Sequence, residues 1–137
     1  MSLVVDASVA IRWFYPLDYF EKAEALAASG ERLAAPDLIV AEVANAAWKL
    51  VTFSNLNFDS ARAAVHNVVN IVHDLVPAAE LRDRAINIAL ELRHPAYDCF
   101  YLALAESRQT PLVTTDDRLI RRCSGSRFAP LVRNLID

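Results

Sequence analysis

Two short runs, Leu3-Val4-Val5 and Leu112-Val113-Thr114, constrain this chain more than anything else in it. Each is apolar or β-branched throughout, and each leads within two residues into an acid and then a helical pattern. A strand without polar alternation belongs in a sheet covered on both faces. Further extended pieces are predicted at Leu33-Ala34-Ala35, Asp74 to Val76 and Leu131-Val132. Helical patterns fill the intervals. They run from Ser8 to Tyr15, stopped by Pro16, and from Asp18 to Ser29, ended by Gly30. Pro36-Asp37 opens another to Phe53, and Phe58 or Asp59 one to about His73. The last are Ala79 to Leu92, Pro95 to Ser107, and a short helix after Asp116. Strands alternating with helices predict an α/β domain spanning 1–137: three αβα layers around a short central parallel sheet. Ligands of such sheets sit beyond the carboxyl ends of the strands, where strand order reverses. Asp6 and Asp116 follow the two best strands, so both are expected on that rim.

Composition removes several function classes. The 137 residues contain only two glycines, and no glycine-rich phosphate cradle can be assembled from them. No apolar stretch approaches the ~20 residues of a membrane span, so no membrane association is expected. The chain opens Met1-Ser2 and passes directly into Leu3-Val4-Val5, without the basic and long apolar segments of a signal peptide. Cys99 and Cys123 have no metal-ligand spacing, and Cys99 reads as a small buried hydrophobe. The expected location is cytoplasmic. A net charge of −3 is unlike a general nucleic-acid binder. Yet Arg118, Arg121, Arg122, Arg127 and Arg133 gather near the C-terminus. That local bias suits a phosphodiester substrate and equally suits a solvated helix face.

Four acids carry the chemistry available. Asp6, in Val5-Asp6-Ala7-Ser8, reads either as a helix N-cap or as a site carboxylate. Asp116, in Thr114-Thr115-Asp116-Asp117-Arg118, has the same two readings. Glu42 lies mid-helix among apolar residues, on a face with Asn45 and Lys49. An unpaired carboxylate there is costly, so Glu42 pairs with Lys49, faces water or joins a site. Asp98 falls in the first turn after Pro95, favoured by the helix dipole but in an apolar helix. Taken together, four carboxylates on one rim would repel each other and hold protons unless a cation joined them. Mg²⁺ or Mn²⁺ prefers such oxygen donors. Ser8, Asn45 and Thr114 are positioned to orient these carboxylates or a water, or else to make local backbone bonds. His66 and His73, seven apart, read as surface or interface residues on one helix, and His94 as a residue that shapes the Pro95 turn.

With these segments assembled, the chain resembles the PIN-domain family, in particular toxins of the VapC type. The resemblance rests on Val4-Val5-Asp6-Ala7-Ser8-Val9, Ala35-Pro36-Asp37-Leu38 and Ala41-Glu42-Val43-Ala44-Asn45-Ala46. It continues through His94-Pro95-Ala96-Tyr97-Asp98-Cys99-Phe100-Tyr101-Leu102-Ala103-Leu104-Ala105 and Pro111-Leu112-Val113-Thr114-Thr115-Asp116. It implies a PIN-like fold and an endoribonuclease with a Mg²⁺ or Mn²⁺ site. Asp6, Glu42, Asp98 and Asp116 match the family's acidic positions, Asp116 the most variable of them, and Ser8 and Thr114 its hydroxyl positions. It also implies a homodimer, a small cognate antitoxin protein, and RNA hydrolysis leaving a 5′-phosphate and a 3′-hydroxyl. Arg12 and Arg118 are candidate RNA contacts. Trp13, Phe14, Tyr15 and Trp48 would stack on bases, receive an antitoxin helix or pack the core, the last being the expectation for Trp48. The alternatives are a structure-specific DNA nuclease, a non-catalytic PIN-fold regulatory subunit, and a phospho-receiver module. The last wants a lysine after a late strand, which neither Lys22 nor Lys49 supplies.

Overall fold

The computed structural model describes residues 2–137. Its five strands are β1 (Ser2–Val5), β2 (Arg32–Pro36), β3 (Asp74–Val76), β4 (Leu112–Thr114) and β5 (Val132–Asn134). They form one sheet in the order β3-β2-β1-β4-β5, and every neighbouring pair is parallel. The strands apolar on both faces take the middle: Val4, Val5, Leu33, Ala35, Leu112 and Val113 are buried. The edges fall to β3 and β5, which bring Asp74 and Arg133 and are only half-buried.

Seven helices connect them: α1 (Ala7–Ala10), α2 (Phe20–Ala27), α3 (Leu38–Ser54), α4 (Phe58–Ile71), α5 (Ala78–Leu92), α6 (Ala96–Arg108) and α7 (Asp117–Cys123). Parallel crossovers are right-handed. The chain steps from β1 to β2 to β3 in one direction, which puts α1 to α4 over one face. It then crosses back to β4 and β5, which puts α5 to α7 over the other. The reversal falls between β1 and β4, so the switch point lies where Asp6 and Asp116 leave the sheet. The buried apolar residues, Val51 apart, make one contiguous cluster. Tyr101 through Ala105 of α6 are all buried, as expected of a helix apolar on every side. Truncating fully buried Leu102 to alanine would destabilise the fold by about 2–5 kcal/mol.

Most boundaries shift by one or two residues from the sequence reading, and three of the differences bear on the site or the sheet. The helix expected over Ser8 to Tyr15 breaks after α1 into a 3₁₀ turn, Ile11–Trp13. Arg12 braces the bend, donating to the carbonyls of Ser8 (2.5 Å) and Asp18 (2.7 Å). The helix expected to reach His73 ends at Ile71, because the sheet claims His73. Its N–H donates to the Leu33 carbonyl and its Nδ1 accepts from the Leu33 N–H, both at 2.9 Å. His66 and His73 therefore share no helix face. The last strand begins at Val132, Leu131 being the end of a short 3₁₀ turn.

Candidate active site

Asp6 is the first residue past β1, in extended conformation, and caps α1. Its Oδ1 accepts from the Ser8 hydroxyl (2.5 Å) and from the amides of Ser8 (3.1 Å) and Val9 (3.3 Å). Its Oδ2 accepts from the Thr114 hydroxyl at 2.5 Å. The residue is only 5 % exposed. Burial, with a smaller push from the charge of Asp98, raises its carboxyl to about 6 against the hydrogen bonds from Ser8, Thr114 and Val9. The cap and site readings of Asp6 are therefore compatible: one oxygen caps α1 while the other is held across the switch point. Ser8 and Thr114 tie the two strand ends together. The Thr115 N–H donates to Ser8 Oγ (3.0 Å) and the Asp116 N–H to Thr114 Oγ1 (3.0 Å).

Asp116 repeats the arrangement one strand away. It caps α7 through Oδ1, accepting from the amides of Arg118 (2.9 Å) and Leu119 (3.3 Å). Asp98 lies in the first turn of α6 and meets His94, with Nε2 to Oδ2 at 2.6 Å. The His94 side chain is 6 % exposed, so this partner is fixed by packing. Burial raises the Asp98 carboxyl; the bond to His94 opposes this and the charge of Asp116 adds to it. Glu42, on α3, accepts a 2.5 Å hydrogen bond from the buried Tyr101 hydroxyl of α6. Burial raises its carboxyl too, opposed by Tyr101 and reinforced by Asp98. Tyr101 in turn is driven up by burial and by the charge of Glu42. Asp98 is thus electrostatically linked to each of the other three acids.

Each carboxylate is gripped by its own donor, which has two consequences. Among the described residues no three Asp, Glu, His or Cys side chains form a ready-made metal cluster. At the same time, Glu42 Oε2, Asp98 Oδ1 and Asp116 Oδ2 accept no hydrogen bond and are not sealed from solvent. The donor set is all oxygen, part-buried and mutually repelling, which is the chemistry a hard divalent ion fits.

A cleft of about 540 Å³ opens beside these acids, lined by Ser8, Glu42, Asn45, Lys49 and Tyr97 among others. Asn45 stands on this wall without bonding to any carboxylate, so the orienting role expected for it is not seen. Of the readings open for Glu42, the pair with Lys49 does not form; Tyr101 is its partner. His94, read as a turn residue, is the partner of Asp98. The His94–Asp98 contact had a signal in its four-residue spacing; the Tyr101–Glu42 contact, fifty-nine positions apart, had none. Arg12, a candidate RNA contact, is engaged by two backbone carbonyls instead. Arg118 remains exposed, close enough to draw the Asp98 carboxyl down slightly.

The aromatic residues divide. Tyr15 is buried, with its hydroxyl 2.8 Å from that of Ser60. Trp13 donates to the Ala23 carbonyl (2.9 Å) and packs edge-on to Phe14. Trp48, expected in the core, is 53 % exposed. It stands edge-on to Phe53 at 5.8 Å and lines an apolar groove of about 440 Å³ with Val51, Phe58, Ala61 and Val65. The stripe of Ile39, Val43, Ala47 and Val51 already buries the inner face of α3, leaving Trp48 outside it.

Comparison with known proteins agrees with this geometry. The PIN domain model matches residues 3–124. Ribonuclease VapC3 of Pyrobaculum aerophilum is 32% identical over 124 residues, covering 89% of this chain and 95% of its own. Ribonuclease VapC9 of Mycobacterium tuberculosis is 33% identical over 117 residues, covering 85% and 87%. Among solved structures, a toxin–antitoxin complex from Klebsiella pneumoniae superposes with a TM-score of 0.71 at 16% identity, over 98% of each chain. VapBC2 from Rickettsia felis, bound to a promoter DNA fragment, gives 0.68 at 13% identity, again over 98% of each. These two share the fold. With a family match across most of its length and curated relatives above 30% identity, the chain belongs to the PIN-domain family, alongside the VapC ribonucleases.

Proposed function

We propose that this chain is a divalent-metal-dependent endoribonuclease and the toxin of a type II toxin–antitoxin pair. The observation that carries the reading is Asp6. It is a buried carboxylate shared between the ends of β1 and β4, with its proton affinity raised by burial and by Asp98. Nothing in the protein's own charge balances it, so a bound cation is the natural complement. Asp6, Glu42, Asp98 and Asp116 would hold Mg²⁺ or Mn²⁺ and form the catalytic set. When bound, such an ion offsets the carboxylate repulsion, acidifies a water and stabilises charge on a phosphoryl oxygen.

The protein's own groups do the rest. Ser8 and Thr114 fix the Asp6 carboxylate by two short hydrogen bonds, so its oxygens need no reorganisation when substrate arrives. His94 holds one oxygen of Asp98 and leaves the other free; Tyr101 does the same for Glu42. Cleavage is expected to leave a 5′-phosphate and a 3′-hydroxyl. The likeness to VapC ribonucleases supports RNA over DNA as substrate.

The fold neighbours that are toxin–antitoxin complexes support a small antitoxin as partner. The groove at Trp48 and Phe58 is exposed and apolar, as surfaces covered by a protein partner are. No helix among the described residues is long and apolar enough to cross a membrane; the cytoplasmic location is part of the proposed toxin reading.

The test is RNA cleavage by purified protein in Mg²⁺ or Mn²⁺. Chelator should abolish it, and so should Asp98→Asn. Cleavage that persists in chelator, or in the variant, removes the metal-site assignment. Cutting of DNA in preference to RNA returns the structure-specific DNA nuclease.

A further inference from the structure

The arginines of this chain fall into two groups. Arg32, Arg62, Arg84, Arg108 and Arg127 are paired with carboxylates. Arg12 and Arg82 donate to backbone carbonyls. Arg93, Arg118, Arg121, Arg122 and Arg133 have no side-chain partner among the described residues, and the first four line one cleft of about 540 Å³ with His94, Pro95 and Ser124. A chain of net charge −3 thus gathers four cations with no bonded carboxylate in one concavity. Such a cluster is self-repelling unless an anion occupies it.

The cleft borders the acids. His94 forms part of its wall and is also the residue bonded to Asp98. Arg118 is near enough to lower the Asp98 carboxyl, and it follows Asp116 by two residues. Arg118, Arg121 and Arg122 stand at i, i+3 and i+4 and so share a face of α7. The helix dipole gives Arg121 and Arg122 a reason to sit in the last turn. Arg93, the C-cap residue of α5, has the same reason; the dipole does not account for its meeting the arginines of a separate helix around one cleft.

We propose that Arg93, Arg118, Arg121 and Arg122 hold the phosphates of the RNA strand on one side of the scissile bond. This deepens, and rests on, the ribonuclease reading. Guanidinium forks match phosphate oxygens in pairs, and phosphate contacts set register without reading sequence. The cleft therefore positions the strand, while the acids act at the bond to be cut. All four arginines are exposed, so their removal is compatible with folding.

The test uses the full chain in chelator with a fluorescein-labelled, mixed-sequence single-stranded RNA, followed by anisotropy across a KCl series. The double variant Arg121→Gln/Arg122→Gln should bind about ten-fold more weakly, with a salt slope shallower by about 1.4, since each phosphate contact on a single strand contributes about 0.7. Arg93→Gln, on a different element, should move both readings the same way by about half as much on the slope. Arg82→Gln/Arg133→Gln removes the same charge elsewhere and should change neither beyond the general effect of net charge. In Mg²⁺ the α7 variant should raise KM for RNA cleavage about ten-fold while kcat stays within about two-fold, the pattern of lost uniform binding.

If the arginine variants keep the parent's slope and KM while cleavage proceeds, the cleft assignment falls and the ribonuclease reading stands. If they keep RNA binding but lose affinity for an acidic peptide, the cleft belongs to a protein partner and the proposal is overturned. A parent that neither binds nor cuts RNA overturns both readings.

Discussion

At Asp6, function and stability pull in opposite directions. Its carboxyl is displaced from an ordinary 3.8 to about 6 by burial. The folded chain thus holds this proton more tightly than the unfolded chain does. The stabilisation is fully present below pH 3.8 and is lost as pH rises through about 6. In chelator, thermal stability should therefore decline between about pH 4 and pH 7, by up to about 3 kcal/mol from this residue. Asp6→Asn should flatten that part of the profile and raise metal-free stability at neutral pH by about 1–3 kcal/mol, while removing RNA cleavage. Thermal melts across pH, for parent and variant, measure both effects. A variant less stable than the parent at pH 7 would mean that the four hydrogen bonds to Asp6 outweigh its burial.

Tyr101 is the residue-scale counterpart on α6. Its hydroxyl is the hydrogen-bond donor holding Glu42. Tyr101→Phe keeps the ring that fills the core and removes only that donor. Mn²⁺ affinity by calorimetry and the cleavage rate should each fall about ten- to a hundred-fold, with the fold retained. Unchanged metal affinity would make the bond purely structural.

Among the elements, α7 ties a cap to a candidate catalytic acid. Asp116 Oδ1 caps the helix, and its other oxygen is free. Asparagine caps as well as aspartate. Asp116→Asn should thus leave the melting temperature nearly unchanged while cleavage drops. Asp116→Ala should lose the cap as well, about 1 kcal/mol of stability. Full activity in the asparagine variant would reduce Asp116 to a cap. The same helix supplies Arg118, Arg121 and Arg122 to the cationic cleft, so seven residues connect the acidic site to its proposed strand-holding wall.

For the molecule as a whole, the apolar groove along α3 and α4 is the feature that an isolated chain leaves uncovered. Trp48 and Phe58 are 53 % and 72 % exposed. Truncating Phe58 to alanine should change the stability of the separate chain by no more than about 0.5 kcal/mol, and truncating Trp48, which packs edge-on to Phe53, should cost about 1 kcal/mol. If the groove is a partner surface, Trp48→Ala should weaken assembly with antitoxin or with a second copy by about 2 kcal/mol or more, as aromatic anchors do. Light scattering and titration with the antitoxin separate the two partners; undiminished assembly in both would remove the groove from either interface.

The layered α/β class, the strands and the rim position of Asp6 and Asp116 were legible in sequence because they depend on local pattern. Continuous apolar runs require covered strands, and the residue that leaves such a strand is carried to its carboxyl end. Glu42 and Asp98 were visible as acids in apolar helices, but their partners were not. Tyr101 meets Glu42 from fifty-nine positions away, and Thr114 meets Asp6 from one hundred and eight. No periodicity encodes such a contact; sheet order and helix packing create it. The same holds for Trp48, since helical spacing marks an apolar stripe but not how far the neighbouring layer extends over it. It holds too for the arginine cleft, where Arg93 and α7 are brought together by the chain's return across the sheet. Sequence by itself determined the kinds of group present and the rim on which two acids emerge. Tertiary packing decided which donor grips each carboxylate and which of its oxygens stay open, because burial and long-range neighbours, rather than local spacing, set proton affinity and orientation.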